Sequence, residues 1–123
     1  MRRAKSKLLI DPIFGFYFYL TIGGKEIDSI RKFCRKYKFD VPEGEFCTNL
    51  GSFTANMATA YAGSIWLGDG VGTGTIAHEC AHAANHVCKV LELDPRQADE
   101  FHASYCGWLT KEAVKLFYRK GKK

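Results

Sequence analysis

No apolar run in this 123-residue chain approaches the ~20 residues that a membrane-spanning helix needs. No secretory leader is expected either. The basic start leads into Leu8-Leu9-Ile10, but Asp11-Pro12 cuts that run before it becomes a signal-peptide core. No two cysteines are spaced C-x-x-C, and the five present (Cys34, Cys47, Cys80, Cys88 and Cys106) are odd in number. That pattern argues against a disulfide framework and for a reducing cytoplasm. Internal repeats, low-complexity segments and recognised nucleic-acid modules are also absent. The expectation is therefore a soluble cytoplasmic protein with no membrane partner and no nucleic-acid partner.

What is present describes one folded unit. A hydrophobic content of 46% and an aromatic content of 14% are those of a globule rather than a disordered chain. The length suits a single domain over residues 1–123. The net charge of +5 is concentrated in two basic tails, residues 1–7 and 119–123, read as solvated ends. Attraction to an acidic polymer is the sharper alternative.

Residues 13–22 read as a strand. Phe14, Phe16, Phe18, Leu20 and Ile22 share one face, and Tyr17, Tyr19 and Thr21 the other. From Glu26 to Tyr37, apolar residues at helical spacing with basic residues between them predict an amphipathic helix. Residues 40–45 are turn-rich, 53–57 form an ambiguous short strand, and 62–68 read as a firmer one. The final helix is expected to start with Asp94 as N-cap and Pro95 as its first residue. The predicted fold class is α+β: a small, mainly antiparallel sheet packed against the amphipathic helix and two further helices.

The strongest functional signal lies within residues 72–90, where His78-Glu79-Cys80-Ala81-His82 spells H-E-x-x-H. Residues four apart on a helix share a face, so His78 and His82 can aim two imidazoles at one zinc ion. Glu79, about 100° round the helix, can reach a water there as general base. Gly70, Gly72 and Gly74 make a flexible approach, with Thr73 or Thr75 as cap. A third ligand has three candidates. Glu100, expected in the second turn of the next helix, is the best placed, and His102 comes next. Cys88 would require a helix break near Asn85 and reads better as core. His86 extends the histidine stripe by one turn, about 12 Å from His78, too far to share the ion.

HECAH followed by a helix bearing Glu100 resembles the zincin superfamily of metallopeptidases, in the branch whose third ligand is glutamate. The chain is most similar to small metallopeptidases of phages and prophages. There the second helix reads roughly E-x-x-A-Y-x-x-G-x-L, against which Glu100, Gly107 and Leu109 match and Tyr105 is displaced by one. The metzincin branch fits poorly, because Asn85 and Cys88 stand where its glycine and histidine belong, and Met1 and Met57 both lie upstream. The likeness covers about residues 65–109. It implies a Zn2+ hydrolase cleaving a peptide or protein substrate, with His78, His82 and Glu100 as ligands and Glu79 as base. Tyr105 or Tyr61 would be the candidate oxyanion donor and Asp99 a partner orienting a ligand histidine. It also implies an edge strand, placed at residues 65–67, presented to an extended substrate. Trp66 and Asp69 could line the cleft there but read better as a packed tryptophan and a turn aspartate. A zinc-binding interaction protein without catalysis, and a basic polymer binder, are the rival readings.

Overall fold

Alternation along the second strand decides how the layers stack. The computed structural model describes residues 4–38, 51–55, 61–94 and 96–118. Its elements are β1 (Lys5–Ile10), β2 (Tyr17–Ile22), α1 (Glu26–Tyr37), β3 (Gly51–Ala55), β4 (Ala62–Leu67), α2 (Thr73–Val90) and α3 (Asp99–Phe117). Successive strand side chains point to opposite faces. Phe16, Phe18, Leu20 and Ile22 are buried on the face shared with Ile65 and Leu67 of β4. Onto that face pack Ile76, Cys80, Ala83 and Val87 of α2, and Leu109, Ala113 and Leu116 of α3. Each large apolar side chain buried there contributes about 1.5–3 kcal/mol. Tyr19 points the other way, where its ring meets Phe33 and its hydroxyl lies 2.9 Å from that of Tyr37 on α1. The expected α+β arrangement is the one formed, with α1 on one face of the sheet and α2 and α3 on the other.

The sheet runs β1-β2-β4-β3. β1 and β2 pair antiparallel, with Lys5 opposite Ile22, and β3 and β4 pair antiparallel, with Gly51 opposite Leu67. β2 and β4 run parallel, with Tyr17 opposite Ala62. The sheet is thus mixed, with two antiparallel pairs and one parallel pair. β4 is buried at every position, as an interior strand covered on both faces must be. Among the described residues β3 is an edge strand.

Four local expectations are corrected. Lys5 and Lys7, assigned to a solvated tail, belong to β1: Lys5 donates from Nζ to the Phe117 carbonyl at 3.0 Å, and Lys7 pairs with Glu112 at 3.5 Å. A lysine at a helix C-terminus satisfies a carbonyl that the helix leaves unpaired. Next, β2 begins at Tyr17 rather than residue 13. Asp11 is buried, and its Oδ1 accepts from the N–H groups of Ile13 and Phe14 at 2.8 and 3.1 Å, winding residues 11–15 into a turn. Phe14 is consequently 40% exposed rather than part of the core row. Third, α2 has Gly72 as N-cap with no side-chain cap, so Thr73 and Thr75 lie inside the helix.

The fourth correction concerns α3, which starts at Asp99 with Ala98 as N-cap. Asp94 instead closes a separate turn, its Oδ1 accepting from Arg96 N–H at 3.0 Å and its carbonyl from the N–H groups of Gln97 and Ala98. Pro95, the 40–45 turn, Cys47, residues 56 and 57, and the tail residues 1–3 and 119–123 lie outside the described residues. Among the described residues, no helix is long and apolar enough to cross a membrane.

Candidate metal centre and its groove

Helix α2 meets three environments around its circumference. Ile76, Cys80, Ala83, Ala84 and Val87 are fully buried against the sheet and α3. His78, His82, Asn85 and Lys89 face solvent. Glu79 and His86 lie between these stripes, 7% and 9% exposed, on the side where α2 passes along β3. The helix continues unbroken to Val90 with Cys88 buried, so Cys88 is core, as its helical pattern predicts. Burial raises the thiols of both Cys80, up to about 12, and Cys88.

His78 and His82 converge. Their Nε2 atoms are 3.1 Å apart, with ring centroids 4.7 Å apart and planes at 84°. Two nitrogens on one tetrahedral zinc, each about 2.0–2.1 Å from it, stand about 3.3 Å apart. The imidazole pair therefore has the chemistry and the spacing of two donors to one ion.

Among the described residues a third donor is not brought to them. Among the described residues, no group of three or more His, Cys, Asp or Glu side chains is arranged to hold a metal. Glu100 is exposed and occupies the second position of α3, in its first turn rather than its second. His102 is half-buried, its Nε2 enclosed without a hydrogen-bond partner among the described residues. Asp99 is exposed at the start of α3.

Glu79 is held where a base is useful. Burial raises the pKa of its carboxyl; the neighbouring His78 and His82 oppose that rise, and the negative charge of Glu26 adds to it. Glu26 is buried at the start of α1, and its Oε1 has no hydrogen-bond partner among the described residues. Nothing in the sequence links Glu26 to the motif, because the two meet only through the end of the sheet. Gly51 is what lets Glu79 in. A Cβ on Gly51 would lie 2.9 Å from Glu79 Cγ and 3.0 Å from the Trp66 carbonyl oxygen, inside ordinary van der Waals range.

From Glu79 a groove of about 590 Å³ runs between α2 and β3. Its helical wall carries Glu79, His82, Asn85, His86 and Lys89, and its strand wall Gly51, Phe53 and Ala55. The Phe53 and His86 rings, with centroids 5.7 Å apart, meet across it. The ten helical steps from Glu79 to Lys89 rise about 15 Å, and the four steps from Gly51 to Ala55 span about 13 Å, so helix and strand keep pace. The recurrence of 79, 82, 86 and 89 is a helical stripe visible in the sequence. A reading of His86 as a metal ligand alone does not reveal it.

Other expected site residues lie elsewhere. The edge strand beside α2 is β3, and residues 65–67 belong to the interior strand β4. Tyr105 donates its hydroxyl to Asp11 Oδ2 at 2.8 Å in a buried contact, which commits it away from the histidines. Tyr61 packs on Phe16 at the start of β4, the strand end away from Gly51. Trp66 and Asp69 take the packed and turn roles expected of them: Trp66 is buried and donates from Nε1 to the Gly23 carbonyl at 2.9 Å, and Asp69 borders the Gly23 turn. Compared with protein-family models, curated proteins and solved structures, the chain finds no match in any of the three.

Proposed function

We propose that the protein is a zinc-dependent hydrolase of peptide bonds acting in the cytoplasm, with His78 and His82 as metal ligands and Glu79 as general base. The observation that carries this reading is the 3.1 Å approach of two imidazole nitrogens next to a buried carboxylate whose proton affinity is raised. Zinc, when bound, supplies the Lewis acidity that amide hydrolysis needs. The chain's own groups supply the rest. Burial makes the Glu79 carboxylate a stronger base than an exposed one, able to take a proton from water and return it to the leaving amine. β3 gives the peptide a main-chain edge to lie along, and Asn85 offers a carboxamide on the opposite wall.

Metal content and turnover test the proposal together. Protein purified without added zinc should carry about one zinc per chain. His82→Ala should lose that metal, and Glu79→Gln should keep it while losing turnover by 10²-fold or more. Glu100→Gln tests the third ligand that the zincin resemblance implies: weaker metal binding places Glu100 at the ion, and unchanged binding removes it. Absence of metal from the wild type would end the proposal. The rival reading is zinc-dependent interaction without catalysis. A biological effect that survives Glu79→Gln would select it.

A further inference from the structure

We propose that Lys89 makes the groove selective for an acidic side chain on a bound peptide, three to five residues to the N-terminal side of the bond presented to Glu79. The inference rests on the peptidase reading for its register and on the groove itself for its charge.

Among the described residues two charged groups line the groove, at opposite ends: Glu79 beside Gly51 and Lys89 at the far end, with Ala55 on the facing wall. Lys89 is exposed, and no carboxylate pairs with it among the described residues. The space between them is bounded by a neutral carboxamide, the imidazoles of His82 and His86, and the Phe53 ring. Among the described residues, a peptide in the groove therefore meets one cation without a carboxylate partner, nine helical residues from the level of the histidine pair. From the level midway between His78 and His82 to Lys89 is nine helical residues, about 13.5 Å. An extended peptide covers that distance in about four residues.

The direction follows from strand pairing. Among the described residues β3 pairs only with β4, leaving its outer edge to accept an added strand. Antiparallel addition is the more stable mode. β3 runs from Gly51 to Ala55, so an antiparallel peptide has its N-terminal side beside Lys89 and its C-terminal side beside Glu79. An aspartate or glutamate near the fourth residue before the scissile bond then meets the ammonium. A basic residue there is repelled.

A random octapeptide library tests this in two arms. In the first, immobilised, zinc-loaded Glu79→Gln protein captures peptides for sequencing. Aspartate and glutamate should be enriched about threefold at low salt, the scale of one solvent-exposed charge pair. The enrichment should vanish with Lys89→Gln and turn to lysine and arginine with Lys89→Glu. Lys89 is on the surface, so both variants should melt where their parent does. Equal capture of acidic and basic peptides, or a preference untouched by Lys89→Glu, overturns the inference.

In the second arm, zinc-loaded wild type cleaves the same library. Acidic residues should cluster three to five places before the new C-terminus, and clustering after the cut overturns the antiparallel placement. Acidic capture in the first arm with no cleavage in the second supports the selectivity of Lys89 while refuting the peptidase reading.

Discussion

Replacing Gly51 by alanine separates the packing of Glu79 from the chemistry assigned to it. Gly51 does not need its backbone freedom, since its φ lies outside the left-handed range, so the cost comes from the added methyl alone. That methyl would sit 2.9 Å from Glu79 Cγ, 3.0 Å from the Trp66 carbonyl oxygen and 3.2 Å from Leu67 Cδ2. Ordinary contact begins at about 3.5 Å, and the carbonyl belongs to an interior strand that cannot retreat. Glu79 must therefore yield by about half an ångström or more. Overpacking of this kind costs about 1–3 kcal/mol, or roughly 4–12 °C in Tm at this chain length. A misplacement approaching 1 Å lowers a rate by about 10²-fold, so kcat should fall ten- to a hundredfold. Zinc affinity should hold, because the atoms nearest the added methyl belong to Glu79, Trp66 and Leu67 rather than to His78 or His82. Gly63→Ala is the control: its methyl would meet Phe53 Cε1 at 2.7 Å, destabilising the fold and altering KM without moving Glu79. Thermal melts, zinc titration and peptide kinetics on both variants decide the matter. If Gly51→Ala keeps its kcat, or both variants lose it equally, Gly51 is not what positions the base.

Zinc at a hundredfold excess over its Kd should stabilise the metal-free wild type by about 2.7 kcal/mol, a rise of roughly 10 °C, and calorimetry should find no such rise in His82→Ala. Tyr105→Phe removes the 2.8 Å donation to buried Asp11 and should cost about 1–3 kcal/mol in a denaturant melt. The same variant should leave kcat unchanged, and a loss of kcat would restore Tyr105 to the site. Glu112 gives a pH test. Burial of its side chain disfavours the charge, but hydrogen bonding to Lys115, the charges of Lys115 and Lys7, and a hydrogen bond to Lys7 outweigh burial and lower its pKa. A lowered carboxylate pKa contributes stability above the ordinary carboxylate range and loses it as pH falls through the folded value. Wild type should therefore exceed Glu112→Gln by at most about 1 kcal/mol at pH 7, and the difference should shrink as pH falls below the ordinary carboxylate range.

The local periodic signals were legible. Glu26–Tyr37 formed with the predicted ends, because its apolar residues recur at helical spacing and Gly23 and Gly24 set it off from β2. Two imidazoles four residues apart met, because that geometry is internal to one helix. What escaped depended on which elements became neighbours. β1 was read as tail because Lys5 and Lys7 look like solvent-facing charge, and their partners on α3 are more than a hundred residues away. The edge strand was misplaced because strand order is a tertiary property. Still, a run as uniformly apolar or small as Ala62–Leu67 carries the composition of an interior strand. The position of Glu100 turned on where α3 begins. Asp94 spends its side chain on a local turn, which starts the helix later and changes where every α3 residue faces.

The roll of α2 then links its three stripes into one decision. Glu79 lies about 100° from His78 around the helix, so burying one of them determines where the other points. If the helix turned to bury His78, Glu79 would leave the enclosure that raises its proton affinity, and Ile76, Cys80 and Val87 would leave the core. Each of those apolar residues resists at about 1.5–3 kcal/mol for a large side chain, far more than a surface histidine returns. The core stripe thus fixes the roll, and the roll delivers Glu79 to β3 and the histidines to solvent. Delivery to β3 succeeds only where the strand lacks a side chain, at Gly51. The geometry of the candidate site is therefore set by apolar packing on the far side of the same helix.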